Sequence, residues 1–561
     1  MIATSFLLLF AASTSAFTSE VSPAKTLAFD ETYRSTLAPH SALQFTISSS
    51  NSTNRFTDSS FFVFQVHTPR YDVTLSLEKP PNYYKDAVNS TNAGLVALVP
   101  IETEENTFKI PSYDLYLYSR SNQSQAFEIS STSYKNNFPI PGGCCKTCNI
   151  ETDPNLNVVS TLWYTTVVFE LANGGFDPSN GESVHYCGGK GATYPEVSYD
   201  VYLHSLGASL SDETLLGGWL KMKSVDDVKR YGTKVGGTFK YDDLKQVTLS
   251  SSPGRGIVIN VIARDLEGNE VAYVPFTSYG CSFTSKENNC NDALGAHVAT
   301  KVICTIVGLV GLVMTFAGHK LFKLELVIVG LMYFMFFIYI ALSLTTDLSH
   351  YVRLGIGFLV GILGGLIFFA IWWRFYLLMG FVLTIGLVLG FLISSILFFT
   401  PFGAMAVWQT KLNFWIAFMC GVLVPVVLLL LWPRTLNIVA TSIVGSYAFI
   451  LGVSEYVNGI LVFIIADIIK KAAMPQYTTA YSVYPLESID IGLTAVWGVL
   501  ACAGMITQFY FAEKVKKKGG SAFPPWPYGE RRSGRRSRWR SNRRKGDYSE
   551  SQRLLDSPTY Q

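Results

Sequence analysis

Between Val298 and Phe511 the chain is long, apolar and sparsely charged, and this constrains its fold more than any other feature. A bilayer core takes about 20 apolar residues per helix. Runs of that kind recur near 298–317, 324–344, 354–373, 376–399, 414–432, 436–453 and 489–511, which predicts seven spans. The connections "GHKLFK", "RF" and "PRT" are so short that neighbouring helices must run antiparallel. Composition agrees: 15% of the 561 residues are charged, against about a quarter in an ordinary soluble domain.

Orientation follows from the two ends. The opening "MIATSFLLLFAASTSAF" has a short apolar core, Phe6–Ala12, and small residues up to Ala16. Residues 1–16 read as a secretory signal, too short to span a bilayer. The chain that follows is then exported, and the first helix runs inward. Lys320 and Lys323, then Arg374, then Arg434 fall on the cytoplasmic side, as does the basic tail "EKVKKKGG…ERRSGRRSRWRSNRRK". Arg374 anchors a tight cytoplasmic turn, with Trp372 and Trp373 expected in the interfacial belt. One stretch, "YVNGILVFIIADIIKK", is apolar enough to suggest an eighth crossing. An eighth crossing would put the basic tail outside. It is therefore read as an interfacial or re-entrant helix, with Asp467, Lys470 and Lys471 near water.

Residues 17 to about 295 carry strand signals. "FFVFQVHT", "YDVTLSL", "YDLYLYS", "TLWYTTVVFEL", "VSYDVYLHSL" and "GIVINVIARD" are rich in β-branched and aromatic residues. They predict sandwich-like packing. "FPIPGGCCKTCN" breaks the pattern and divides the region into modules 17–138 and 139–295, ahead of a membrane domain 296–511 and a disordered tail 512–561. Asp212 is expected to cap a helix with Leu215, Leu216, Trp219 and Leu220 on its apolar face. Gly268-Asn269 is expected at a hairpin turn. The fold class is a β-rich extracellular or luminal region followed by a seven-helix membrane bundle.

Export brings modification with it. Asn51, Asn89 and Asn122 open N-x-[ST] sequons. Cys144, Cys145, Cys148, Cys187, Cys281 and Cys290 precede the membrane region and are disulfide candidates in an oxidising compartment. The C-x-x-C from Cys145 to Cys148 admits a redox or zinc reading, but no second C-x-x-C or histidine pair completes a metal site. Cys304, Cys420 and Cys502 are expected as inert core thiols. Gly357, Gly361 and Gly365, with Gly386 and Gly390, are read as packing glycines that let helices three and four approach, or that serve a homodimer.

No nucleophile elbow, zincin helix, phosphate loop or dinucleotide fingerprint occurs, so no enzyme and no cofactor is predicted. Glu325 and Asp490 sit near span ends and are expected to touch water. The third and seventh helices lack the D-R-Y-like and N-P-x-x-Y signatures of G-protein-coupled receptors. The expected partners are the bilayer, anionic headgroups at the basic tail, unknown proteins at the ectodomain, and a clathrin adaptor at the dileucine pattern of Glu550, Leu554 and Leu555; nucleic acid is not among them.

Several pieces, in order along both halves, carry a family resemblance: "PGGC" at 141–144, "YDVY" at 199–202, "PGRGIVINVIARD" at 253–265, "YGCSF" at 279–283, "WWRF" at 372–375, "GLVLGFLISS" at 386–395, "FFTPFG" at 398–403 and "AVWG" at 495–498. The chain resembles the transmembrane 7 superfamily member 3 family over about 40–528, and its membrane half is similar to transmembrane protein 198. The resemblance implies a glycosylated ectodomain on seven helices. It also implies a pro-survival role, damping endoplasmic-reticulum stress and the unfolded protein response. Cys144, Cys187, Cys281 and Cys290 match the family. Cys145 and Cys148 depart from it and suggest one extra local disulfide, and the tail after 528 departs as well. The expectation is a non-enzymatic membrane glycoprotein of the cell membrane, with endosomal, lysosomal or endoplasmic-reticulum pools. It acts through protein contacts. The alternatives are a small-solute or ion transporter or channel, and a ligand-binding cell-surface receptor not coupled to G proteins.

Overall fold

The computed structural model describes residues 21–48, 59–79, 87–98, 112–145, 148, 152–161, 163–177, 182–183, 197–207, 211–240, 246–251, 255–281, 298–375, 378–482, 484 and 486–517. The first β module contains β1 (Val21–Ala28), β2 (Thr32–Leu37), β3 (Ala42–Ser48), β4 (Ser59–His67), β5 (Val73–Ser76), β6 (Ala87–Ser90), β7 (Asn92–Leu98), β8 (Tyr113–Ser119) and β9 (Gln125–Lys135). They form a five-stranded sheet, β1-β3-β8-β5-β6, and a four-stranded sheet, β2-β9-β4-β7. Side chains alternate across a strand, so "FFVFQV" with both phases apolar should bury both faces. It does. Phe62, Phe64 and Val66 enter the core between the two sheets, while Phe61 and Val63 join Tyr134 in a second cluster with Ile140, Val271 and Val274.

That second cluster belongs half to the next module. It contains β10 (Leu156–Ser160), β11 (Tyr164–Phe169), β12 (Phe176–Asp177), β13 (Glu182–Ser183), β14 (Ser198–Gly207), β15 (Thr233–Lys240), β16 (Gln246–Ser250), β17 (Gly256–Arg264), β18 (Glu270–Ala272) and β19 (Phe276–Ser278). The sheets run β10-β11-β16 and β15-β14-β17-β18, with β19 on β17 and β12 paired to β13. Between β14 and β15 lie α1 (Asp212–Leu220) and α2 (Val225–Tyr231). The cap of α1 is Ser211, whose side chain accepts from Thr214 N; Asp212 takes the first turn instead, where an acid favours the helix dipole. The modules also interlock through polar groups. Asn155 exchanges two hydrogen bonds with the backbone of Gly94, at 2.7 and 2.9 Å.

His67 lies at this joint. Its ring packs against Trp219 at a tilt of 36° with centroids 3.8 Å apart, and its Nδ1 meets Asn92 Oδ1 at 2.7 Å. Burial holds the imidazole well below its usual range, so the folded protein keeps it neutral. The unfolded chain binds a proton below about pH 6.5 and the folded one does not. Stability should therefore fall as pH drops below that value, by at most about 1.4 kcal/mol per pH unit. Melting temperatures at about pH 7 and pH 5 test this. A pH slope unchanged in His67→Phe would remove His67 as its source.

The membrane helices are α3 (Val298–Ala317), α4 (Phe322–Thr345), α5 (His350–Phe375), α6 (Leu378–Phe399), α7 (Lys411–Leu429), α8 (Pro433–Val457) and α10 (Ser488–Lys517); α9 (Phe463–Ala473) falls between the last two. Among the described residues, seven helices are long and apolar enough to cross a membrane. At 11 residues α9 is not one of them.

The chain divides into two compact units: Met1–Cys304 with Ser394–Met419 and Ser454–Leu493, and Thr305–Ile393 with Cys420–Val453 and Thr494–Gln561. In the second unit the glycines decide which helices meet. A Cβ on Gly361 or Gly365 would run into the carbonyl oxygens of Leu331 and Val327, and Gly357 faces Met335. These three therefore seat α5 on α4, not on the following helix as the sequence suggested. Gly386 meets Leu436 of α8, and Gly390 meets the Val422 carbonyl of α7. Trp372 also departs from expectation. It is buried among Phe322, Phe381 and Leu436 instead of lying in an interfacial belt, whereas Trp373 and Arg374 are exposed. Cys420 and Cys502 are exposed on their helices and are not core thiols.

Candidate functional site

The first unit contains a buried ion pair between residues 235 positions apart. Arg255 precedes β17, and Asp490 lies in the first turn of α10. Their relative exposures are 5% and 0%, so the expectation that Asp490 touches water fails. The pair is bidentate: Nη1 donates to Oδ2 at 3.0 Å and Nη2 to Oδ1 at 3.2 Å. Arg255 Nε and Nη2 also donate to Asn458 O. Asp490 further accepts from Ile460 N at 2.9 Å and from Glu487 N at 3.2 Å. The last bond satisfies a donor at the start of α10, as in a capping box. Glu487 Oε1 lies 3.4 Å from Arg255 Nη1. Planar recognition of this kind suits arginine and a carboxylate. Asn458, directly after α8, is in the left-handed region at φ 52, a conformation asparagine tolerates.

The same connection enters the β module. Tyr481 N donates to Thr248 O and Ser250 N donates to Tyr481 O, both at 3.0 Å, extending the free edge of β16. The Tyr481 ring fills the core of the second sandwich. Gly236 makes room for it. Its φ is +68, and a Cβ there would lie 2.7 Å from the ring.

Beside it α9 buries a polar cluster. Asp467, Lys470 and Lys471 are 3%, 4% and 7% exposed, against the expectation that they sit near water. Asp467 Oδ1 accepts from the hydroxyls of Tyr477 and Tyr484, each at 2.8 Å. Lys470 lies 3.5 Å away. Lys471 donates to Ala480 O and sits over the Phe414 ring. Burial lowers Lys470 and pushes Lys471 down to about 8, while it raises both tyrosines well above their usual range. Tyr484 stacks between Phe399 and Phe463. Together these contacts tie the end of α6 and the start of α7 to α9. They form a joint.

Three family descriptions match the chain in succession: a TM7SF3-like N-terminal immunoglobulin-like domain over 26–127, a TM7SF3-like second immunoglobulin-like domain over 139–284, and a TM7S3/TM198-like domain over 304–509. The curated mouse protein Transmembrane 7 superfamily member 3 is 34% identical over 472 residues, covering 83% of this chain and 80% of its own. The human protein of that name is 33% identical over 471 residues with the same coverage. The chain belongs to the transmembrane 7 superfamily member 3 family. It is a multi-pass membrane protein with two immunoglobulin-like domains ahead of the helices, and the buried Arg255–Asp490 pair joins the second of these domains to the last helix.

The other sequence-derived residues fall as follows. Cys145 and Cys148 form a disulfide, with Cα atoms 5.7 Å apart, so the C-x-x-C pair is not a free dithiol. Cys144 and Cys281 are also disulfide-bonded. Asn89 and Asn122 are exposed; Asn89 Oδ1 accepts from Thr74, and Asn122 Oδ1 lies 2.6 Å from His40 Nε2. Asn51, Cys187, Cys290, Glu550, Leu554 and Leu555 lie outside the described residues. Sequence reasoning missed Arg255. The signal was a lone arginine between "PG" and a strand, together with a lone carboxylate opening the last helix.

Proposed function

We propose that this is a non-enzymatic membrane glycoprotein that damps stress and death signalling through protein contacts. Its immunoglobulin-like domains act as the sensing part. The observation that carries this reading is the Arg255–Asp490 pair. An event at the ectodomain bears directly on the first turn of α10, and α10 leads into the basic tail. Family membership supports the pro-survival role. In this reading the ectodomain is extracellular or luminal and the tail cytoplasmic, lying on anionic lipid and open to a clathrin adaptor. The cell membrane is the main location. Loss of the gene should sharpen the response to a folding-stress agent, read by an unfolded-protein reporter and by cell death. Re-expression should restore the damping. An unchanged response after deletion sinks the proposal. Transport is a second reading, favoured by polar side chains buried within the bundle, such as Gln508 hydrogen-bonded to Thr315 O at 2.8 Å.

A further inference from the structure

Glu325 lies in the first turn of α4, and Asn437 is the fifth residue of α8. Both are buried, at 3% and 2% exposure, beside Phe322, Leu326 and Leu436 of the bundle's apolar core. The expectation that Glu325 touches water is therefore wrong. Asn437 Nδ2 donates to Glu325 Oε2 at 3.3 Å. The remaining oxygen on each side, Glu325 Oε1 and Asn437 Oδ1, is buried with no hydrogen-bond partner among the described residues. Both orphans are acceptors, so no rotation of either group can pair them.

Among the described residues no cation lies within ion-pair distance of Glu325, whose side-chain partner is the neutral Asn437. The cations nearest in sequence are engaged elsewhere or in solvent. Lys320 lies over the Phe511 ring and Lys323 over Trp372. His319 meets Gln508, and Arg434 is partly exposed on α8. A buried carboxylate without a counter-charge is expensive, and an ionisable group inside a membrane bundle marks a functional site by default.

We propose that Glu325 and Asn437 form a proton-binding site in the bundle. A proton on Glu325 Oε1 donates to Asn437 Oδ1, while Asn437 Nδ2 donates to Glu325 Oε2. The result is a cyclic acid–amide pair that satisfies both orphans at once. Proton release leaves a buried carboxylate facing an amide oxygen, and α4 and α8 can relieve it only by parting or admitting water. The bundle thereby acquires two states set by one proton. This inference does not rest on the stress-signalling reading.

The test uses the full-length protein in nanodiscs. Dicyclohexylcarbodiimide, which modifies protonated carboxyls in apolar surroundings, should label Glu325 in sodium-free buffer near neutral pH. Labelling should be unaffected by added sodium and should decline at alkaline pH. The infrared difference between wild type and Glu325→Gln should contain a carboxylic-acid carbonyl band. Glu325→Gln keeps a donor facing Asn437, so it should retain the wild-type melting temperature, whereas Glu325→Ala should not. Absence of both adduct and acid band overturns the proposal. Protection by sodium also overturns it and makes the site an alkali-ion site.

Discussion

Arg255→Ala should destabilise the protein by about 3–5 kcal/mol, the usual loss when one member of a buried ion pair is removed. The size comes from what is left behind. Asp490 would remain wholly buried with its charge uncompensated, and Asn458 O would lose two donors. Asp490→Ala should cost a similar amount by stranding the guanidinium. Arg255→Met combined with Asp490→Leu should recover much of the loss, because the desolvation of both charges disappears with them. Thermal unfolding of the full-length protein in detergent measures all three variants against wild type. A loss below about 1 kcal/mol for Arg255→Ala would show that the pair is solvated and does not hold the ectodomain. The double variant has a second use. It keeps the fold while removing the charged link, so failure to damp the stress response in a stable double variant would locate signalling in that link.

Trp219→Ala should cost about 3–5 kcal/mol, the range for deleting a buried aromatic side chain. Trp219 is among the largest fully buried side chains, and its ring covers His67 across the joint between the two immunoglobulin-like domains. Its removal should also weaken the acid sensitivity of the ectodomain, because a hydrated His67 titrates near its unfolded value. Trp219→Phe should keep most of both properties. Limited proteolysis between the domains, together with melting curves at two pH values, reads the outcome. If Trp219→Ala melts like wild type, the joint is held by its other contacts, among them Asn155, the Phe61 cluster and the Lys223–Thr32 bond.

The seven spans were legible because each is a continuous apolar run of membrane length, a property of sequence alone. The strands of both sandwiches were legible for a similar reason, and the doubly apolar "FFVFQV" marks a strand buried on both faces. Helix partners were less legible. Gly357, Gly361 and Gly365 announce a close approach, but a stripe of small residues does not name what approaches. Main-chain contacts with α4 settled it. The capping of α1 was misread by one residue, since Ser211 and Asp212 are both good caps by type.

The polar residues mark the boundary most sharply. Glu325, Asp467, Lys470, Lys471 and Asp490 all lie at the ends of apolar runs, and local sequence places such residues at the membrane surface. All five are buried instead, because other residues cover them: Asn437 for Glu325, Tyr477 and Tyr484 for Asp467, Asp467 for Lys470, Ala480 O and the Phe414 ring for Lys471, and Arg255 for Asp490. The sequence by itself determined two β-rich modules, seven spans and a basic tail, since these depend on the period and length of apolar segments. Only the tertiary structure decided that residues 458–490 turn back to seal the second immunoglobulin-like domain with Tyr481 and Asp490. The physical reason is that a charge enters the interior only where folding supplies a complementary group, and such a match is a relation between distant residues.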